Sequence, residues 1–408
     1  MVLAANTNLS REREGDNSGK VSFIELFFDL VFVFAITQLS HLLLAHLTVE
    51  GAIETLVLFL AVWWVWIYTS WVTNWLDPER TPVRVMLCAL MLAGLVLSTS
   101  LPQAFDVRGA TFACAYVFMQ VGRSLFVMWA VRNHDAANYQ NFQRITLWLV
   151  LSAVFWISGT LAEGHMRLML WAVALAIEFA SPALGFYVPG LGRSTTTDWN
   201  IEGHHLAERC ALFIIIALGE SILVTGATFA ELDWSGPNLA AFLIAFLGSV
   251  AMWWIYFDTG AEHGSNVISN SDNPGRIARL VYTYIHILLI AGIIVAAVAD
   301  EMALVHPDHT VDRAAALVIL GGPALYVTGN LLFKYCISGR LPLSHLAGLG
   351  LLAAASPFAE MTSLLILTAV ATSILVIVAV WETVSLRRYR PSLEKLDLAE
   401  DVHDAPAG

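Results

Sequence analysis

The chain has 408 residues, of which 58% are hydrophobic and only 13% are charged. Soluble globular domains are about 25% charged, so this composition indicates an integral membrane protein with many spans. The apolar runs are about 20 residues long, which suits membrane helices and excludes the shorter strands of a membrane barrel. The net charge of −12 argues against nucleic acid as a partner, and the four cysteines lack the CxxC spacing of a zinc site.

Residues 1–20 are polar and charged, and they are predicted to form a disordered cytoplasmic arm without a signal peptide. The rest of the chain is predicted to be all-α, with about twelve transmembrane helices arranged as two parallel six-helix repeats. The first repeat covers 21–188 and the second covers 206–386, with a cytoplasmic linker at 189–205 and a cytoplasmic tail at 387–408. The predicted spans are 22–44, 52–74, 84–104, 110–131, 145–162, 167–188, 206–228, 238–257, 278–299, 313–335, 342–360 and 362–386.

The distribution of lysine and arginine predicts the orientation. If successive loops alternate between two sides, 16 of the 21 basic residues fall on the side of the N-terminus and three on the other side. The remaining two, Arg123 and Arg209, lie within spans. Because basic loops are retained in the cytoplasm, both termini are predicted to be cytoplasmic.

Similar motifs in the same order indicate the internal repeat. Glu25 and the apolar segment after it resemble Glu208 and the apolar segment that follows it. Further matching pairs are Trp63-Trp64 with Trp253-Trp254, Ala93-Gly94 with Ala291-Gly292, and Ile177-Glu178 with Trp381-Glu382. Because six spans separate equivalent residues, the two copies run in the same direction, as in repeats related by an axis along the membrane normal. Chance likeness between apolar helices is the alternative.

The first span carries two carboxylates, Glu25 and Asp29, one helical turn apart. A charge at the centre of a membrane helix costs about 2.5–3.5 kcal/mol or more, so such residues usually have a function. Glu25 is as readily explained by solvation among the lipid headgroups. Asp29 lies deeper and is predicted to face the interior of the helix bundle.

The seventh span begins with a cluster of titratable residues, His204, His205, Glu208 and Arg209, and contains Glu220 deeper in the helix. His204, His205 and Glu208 are weak candidates for a metal site, because histidine and glutamate at helical spacing can bind the same metal ion. A hydrogen-bonded cluster at the membrane interface is the simpler interpretation. Glu220 lies about 16 Å along the helix from Arg209, so it needs a partner from another helix or a proton.

Three other residues complete the set of candidates. Arg123 and Glu178 fall near the middle of their spans, and because arginine stays charged, Arg123 is predicted to pair with Glu220 or Glu178. A purely structural ion pair is the competing interpretation. Asp258 ends its span at the predicted cytoplasmic side and could join Glu25 there, or it could simply be a solvated helix end. The tryptophans of the second span are predicted to form an interface belt and a packing surface.

The sequence resembles the bacterial low temperature requirement A family of membrane proteins. The motifs that carry the resemblance are ELFFDLVFVFAI at Glu25–Ile36, HLAER at His205–Arg209, IIIALGES at Ile214–Ser221 and WWIYFD at Trp253–Asp258. The likeness extends over residues 21–386 and implies a multi-pass protein of the bacterial cytoplasmic (inner) membrane. The family name refers to a cold-growth phenotype and does not define a molecular activity.

A secondary transporter, or an ion- or proton-coupled carrier, is the function we expect. A parallel repeat and ionisable residues at mid-membrane favour it, and the chain has no nucleotide-binding or hydrolase motif. No catalytic residue and no cofactor is predicted. The expected partners are the lipid bilayer and an unidentified small solute or ion, with the oligomeric state open. The alternatives are a membrane-embedded enzyme, for example a lipid-modifying one, with a cytoplasmic-side His/Glu/Asp site, and a structural or sensor membrane protein.

Overall fold

The computed structural model describes residues 8–11, 20–196, 199, 201–258 and 260–403, with side chains described as far as 385. Within these ranges the regular structure is helical, and β structure is limited to three isolated bridges. The all-α prediction is therefore confirmed.

The first half of the chain contains seven α-helices. Long apolar stretches form them because a backbone without water must satisfy its own hydrogen bonds. The helices are α1 (Phe23–Ala45), α2 (Val49–Trp75), α3 (Thr81–Ser100), α4 (Gly109–Val117), α5 (Arg123–Val131), α6 (Ala136–Thr160) and α7 (Gly164–Ala183). A π-helical segment, Phe118–Gly122, joins α4 to α5, so the two form one continuous span.

The second half contains eight α-helices. They are α8 (Gly203–Ala230), α9 (Gly236–Phe257), α10 (Ala261–Ser269), α11 (Pro274–Ile277), α12 (His286–Val305), α13 (Arg313–Ser338), α14 (Leu343–Ala355) and α15 (Leu364–His403). A second π-helical segment, Ala278–Ile285, leads from α11 into α12.

Eleven helical stretches among the described residues are long and apolar enough to cross a membrane. The predicted span at 342–360 differs, because it forms the 13-residue α14 followed by the 3-10 turn Ser356–Met361. The chain on either side of this segment shows where it runs. Thr310, just before α13, forms an antiparallel bridge with Ser363, just before α15. The two helices therefore begin at the same face, and α14 with its 3-10 turn returns to that face from the far end of α13.

The helix neighbours follow the same order in the two halves. In the first half, α3 packs against α1 and α4, α6 packs against α7, and α2 packs against α7. In the second half, α12 packs against α8 and α13, α14 packs against α15, and α9 packs against α15. A parallel repeat requires this correspondence, but the repeat itself stays a prediction.

The backbones of α12 and α13 approach each other closely. A Cβ atom on Gly292 would lie 2.6 Å from the backbone nitrogen of Tyr326, and one on Gly322 would lie 2.7 Å from that of Ala296. Small residues allow helices in a membrane to approach until their backbones touch, and dispersion forces then hold them together. These glycines therefore set the packing of the second half.

Both ends of the chain depart in part from the predicted solvated segments. Residues 8–11 lie against the end of α2, where Ser10 pairs with Leu76 and the buried Leu9 accepts the backbone N–H of Asp77. The apolar side chain of Leu9 explains why this part of the arm packs; residues 1–7 and 12–19 lie outside the described residues. At the other end, α15 continues as a helix through the predicted tail to His403.

Candidate functional site

The buried charges of the first and seventh spans meet between α1 and α8. The first contact joins Glu25 Oε1 to His205 Nε2 at 2.8 Å, and both side chains are fully buried. The other oxygen of Glu25 accepts the backbone N–H and the hydroxyl of Ser22 at 2.9 Å each. The second ring nitrogen of His205 lies 3.1 Å from the amide of Asn74 on α2. Glu25 is thus a bonded interior group, and the interpretation as a headgroup-solvated carboxylate is wrong.

The second contact lies one turn deeper and is an ion pair. Arg209 donates two hydrogen bonds of 2.8 Å to the two oxygens of Asp29, and both side chains are fully buried. The indole N–H of Trp66 on α2 donates to Asp29 at 2.8 Å. Bidentate guanidinium–carboxylate pairs have fixed geometry and are among the strongest hydrogen-bonded contacts. The prediction that Asp29 faces the bundle interior agrees with this position.

The third contact joins Glu220 on α8 to Thr37 on α1, whose hydroxyl donates to the carboxylate. Glu220 is buried, with 6% of its surface exposed, and no basic side chain among the described residues pairs with it. Along both helices the three contacts occur in the same order. The two helices are therefore parallel, and together they form a polar seam within an apolar bundle.

The remaining titratable residues at the start of α8 form hydrogen bonds with different partners. The exposed His204 contacts Ser265 at 2.7 Å, whereas Glu208 accepts the backbone N–H of Val21 at 3.2 Å. His205 contacts α1 instead, so the weak metal-site prediction is not supported. Adjacent residues such as His204 and His205 project in different directions from a helix, and no group of three or more His, Cys, Asp or Glu that could hold a metal occurs among the described residues.

Glu178 on α7 forms the centre of a second polar cluster, inside the first half. Its carboxylate accepts hydrogen bonds from Tyr116 at 2.6 Å, Ser152 at 2.5 Å, Trp156 at 3.0 Å and Gln120 at 3.1 Å. The side chain is fully enclosed by these groups, with 1% of its surface exposed. Neutral donors rather than a cation therefore satisfy this carboxylate.

Arg123 does not form the ion pair that the sequence led us to expect. Its guanidinium donates to the carbonyl of Val65 at 3.1 Å, to the hydroxyl of Thr69 at 2.8 Å and to the side-chain oxygen of Gln120. Gln120 connects it to Glu178, so the two charges share a network without direct contact. Glu220, the other predicted partner of Arg123, bonds to Thr37 on α1 instead. Sequence position alone does not reveal such an intervening amide.

Asp258 does not join the seam either. It is exposed and accepts a 2.8 Å hydrogen bond from Thr383 on α15. Close to it, Lys334 on α13 donates at 2.6 Å to both oxygens of Glu382 and at 2.9 Å to the carbonyl of Ile255. Asp258 thus belongs to a separate contact between α9, α13 and α15.

Several residues that complete these sites were missed from the sequence. Trp63, Trp64 and Trp66 are fully buried, so for them the predicted interface belt is wrong and only the packing role holds. A buried indole N–H needs an acceptor, and this rule could have linked Trp66 to Asp29. Asn74 and Gln120 gave no signal, because a lone amide within an apolar run has no distinctive spacing.

A comparison with known proteins agrees with this architecture. The family model described as bacterial low temperature requirement A protein (LtrA) matches residues 20–380. The chain belongs to the LtrA family. An uncharacterized protein of Rhizobium meliloti (strain 1021) is 43% identical to this LtrA protein over 392 residues, which are 96% of this chain and 95% of that protein. No solved structure matches the chain. Family membership and the eleven long apolar helices establish a multi-pass membrane protein.

Proposed function

We propose that this LtrA protein is a secondary carrier coupled to a proton or another ion, located in the bacterial inner membrane with both termini in the cytoplasm. The observation that carries the proposal is the polar seam between α1 and α8. One ion pair, one hydrogen-bonded glutamate–histidine pair and a carboxylate with no basic partner among the described residues lie buried in the interior of a membrane protein. Intramembrane ionisable groups are costly, and they commonly mark ion or proton pathways.

The position of the seam supports this proposal. It lies where the first half, through α1 and α2, meets the second half, through α8. Carriers built from two repeats expose a central site alternately by rocking one half against the other. Charge pairs across such a boundary can break and re-form as the halves move, so the occupancy of an ion or proton site can be tied to the conformation.

Glu220 is the residue that we propose to take up the coupled proton or ion. Its described partner is a neutral hydroxyl from the opposite helix, whereas Asp29 already has a cation and an indole. A proton on Glu220 would neutralise its charge without leaving a basic partner unpaired. Protonation would thus change the contact between α1 and α8 at a low energetic cost.

The test is a flux measurement on purified protein in liposomes. A pH gradient is imposed across the membrane, the internal pH is followed with a dye, and cations and small metabolites are added one at a time. We expect proton movement that depends on one solute and that is lost in Glu220→Gln, which keeps the shape and hydrogen-bonding capacity of the side chain. The matched control is Glu231→Gln at the exposed end of the same helix, which should retain the flux.

The outcomes separate the proposal from its alternatives. Equal solute-dependent flux in the wild type and in Glu220→Gln would remove Glu220 from the mechanism. Folded protein that moves no solute and no proton would contradict the carrier function, and the same seam would then serve to hold helices together. Turnover of an added lipid, lost on substitution of His205 or Glu25, would favour the enzyme alternative.

A further inference from the structure

An open cleft lies beside the seam, between the first half of the chain and the π-helical segment that leads into α12. Its empty space, with the mouth open to the surroundings included, is about 540 Å³. The walls are largely aromatic, with Tyr68, Trp71, Trp75, Phe142, Phe186 and Trp199. Such a cavity suits an apolar ring or chain.

Among the described residues, the charged side chains of this cleft belong to two arginines. Arg123 lies on the first-half side and Arg279 on the second-half side. Arg279 donates a 2.8 Å hydrogen bond to the carbonyl of Pro182 and lies over the ring of Trp199 at 6.0 Å. Among the described residues, neither arginine has a carboxylate within 4.0 Å. Within the described part of the chain, neither arginine of the cleft therefore contacts a carboxylate directly.

The backbone around both arginines has an unusual form. Arg123 is the first residue after the π-helical segment Phe118–Gly122, and Arg279 lies within the π-helical segment Ala278–Ile285. π-helical turns are rare, and they occur frequently at functional sites. Two of them, one in each half, bring an arginine to the same cleft. A π-helical turn beside an arginine in each half therefore indicates a functional site, and this evidence does not depend on the cavity or on the charges.

The second π-helical segment is also fixed to the aromatic wall. The indole of Trp63 donates to the carbonyl of Thr283 at 2.9 Å, and the indole of Trp71 donates to its hydroxyl at 3.1 Å. Both contacts join α2 to the π-helical segment that precedes α12. The cleft thus lies across the boundary between the halves, where a bound molecule would contact both of them.

We propose that the cleft binds an organic anion whose carboxylate is attached to an apolar body. The guanidinium groups of Arg279 and Arg123 receive the carboxylate, since arginine recognises carboxylates through paired hydrogen bonds. The tryptophan and tyrosine rings cover the apolar body. The role of this anion as the transported solute rests on the proposed carrier function, whereas its binding can be measured without any transport.

The experiment uses the full-length protein in phosphatidylcholine nanodiscs, with the tryptophan fluorescence of the protein as the readout and empty discs as the blank. The soluble probe is 1-naphthoate, its neutral counterpart is 1-naphthamide, and oleate represents a carboxylate that comes from the bilayer. Arg279→Gln is compared with Arg276→Gln, an exposed arginine one turn away that does not line the cleft. We expect saturable binding that Arg279→Gln weakens about 10- to 100-fold, as for the loss of a hydrogen bond between charged groups.

Each outcome has a definite meaning. Binding of 1-naphthoate that exceeds binding of the amide and depends on Arg279 but not on Arg276 supports a soluble organic acid. The same dependence with oleate alone supports a lipid-derived carboxylate. No saturable binding of either acid, equal binding of acid and amide, or equal effects of the two substitutions would overturn the inference. Binding without flux would support the anion-binding site and would contradict only the proposed carrier function.

Discussion

The ion pair between Asp29 and Arg209 should be the most sensitive point of the seam. Both side chains are fully buried, and they share two hydrogen bonds of 2.8 Å. Removing one member of such a pair leaves an uncompensated charge in the interior and costs about 3–5 kcal/mol. Arg209→Met and Asp29→Leu should each lower the free energy of unfolding by that amount.

The double variant should be more stable than either single variant. Two apolar side chains of similar volume can replace a buried ion pair at little or no cost. The cost that remains comes from the indole N–H of Trp66, which loses its acceptor, and an unsatisfied buried donor costs about 1–3 kcal/mol. The loss in the double variant should therefore be roughly 6 kcal/mol smaller than the sum of the two single losses.

The assay is unfolding in mixed micelles with increasing denaturing detergent, followed by tryptophan fluorescence. Arg84→Met is the control, because Arg84 and Glu79 form an ion pair with 49% and 57% of their side chains exposed. Such exposed pairs contribute about 0–1 kcal/mol. Additive losses in the double variant, or single variants as stable as Arg84→Met, would refute the account of Asp29 and Arg209 as a coupled buried pair.

Three further predictions follow from the geometry. Trp66→Phe removes one donor from the buried carboxylate, so it should destabilise the protein by about 1–3 kcal/mol, less than Arg209→Met in the same unfolding assay. Gly292→Leu should prevent the packing of α12 on α13 and lower the yield of folded protein in size-exclusion chromatography, whereas Gly219→Leu, where a Cβ meets no atom within 4 Å, should not. In a cysteine-free background, Asp308→Cys should react with an impermeant thiol reagent in intact cells and Arg276→Cys only after permeabilisation; the reverse pattern would invert the proposed orientation.

The helices could be predicted because each is determined by the sequence of its own segment. Long apolar runs must satisfy their backbone hydrogen bonds within a helix, so the span predicted at 22–44 agrees closely with α1 at Phe23–Ala45. The segment at 342–360 was less predictable. Its composition is apolar throughout, but Pro357 lies near the point where α14 gives way to a 3-10 turn, and a proline interrupts helical hydrogen bonding.

The candidate site was predictable by residue type and not by pairing. Every buried carboxylate of the seam was singled out, because a charge in an apolar run is conspicuous. The partners were not, since which side chains meet depends on how the helices pack. Glu220 was expected to need a partner from another helix or a proton, and it bonds to Thr37 on α1, while Arg123 was assigned a carboxylate and instead bonds to Gln120. The cleft arginine Arg279 was counted only as a loop charge, because a π-helical turn has no sequence signature.

The seam and the cleft share elements, and this arrangement links the two proposals. α2 supplies Trp66 to the seam and Trp71 to the cleft wall, five residues apart on one helix. A ligand that draws Arg279 toward Arg123 would pull the second half toward α2, and α2 holds the ion pair between α1 and α8 through Trp66. Differential binding to two conformations is what allows a ligand to shift an equilibrium. Coupling between solute and proton in this protein would therefore pass through α2, and Trp66→Phe should weaken the coupling of the two fluxes while leaving the binding of 1-naphthoate unchanged.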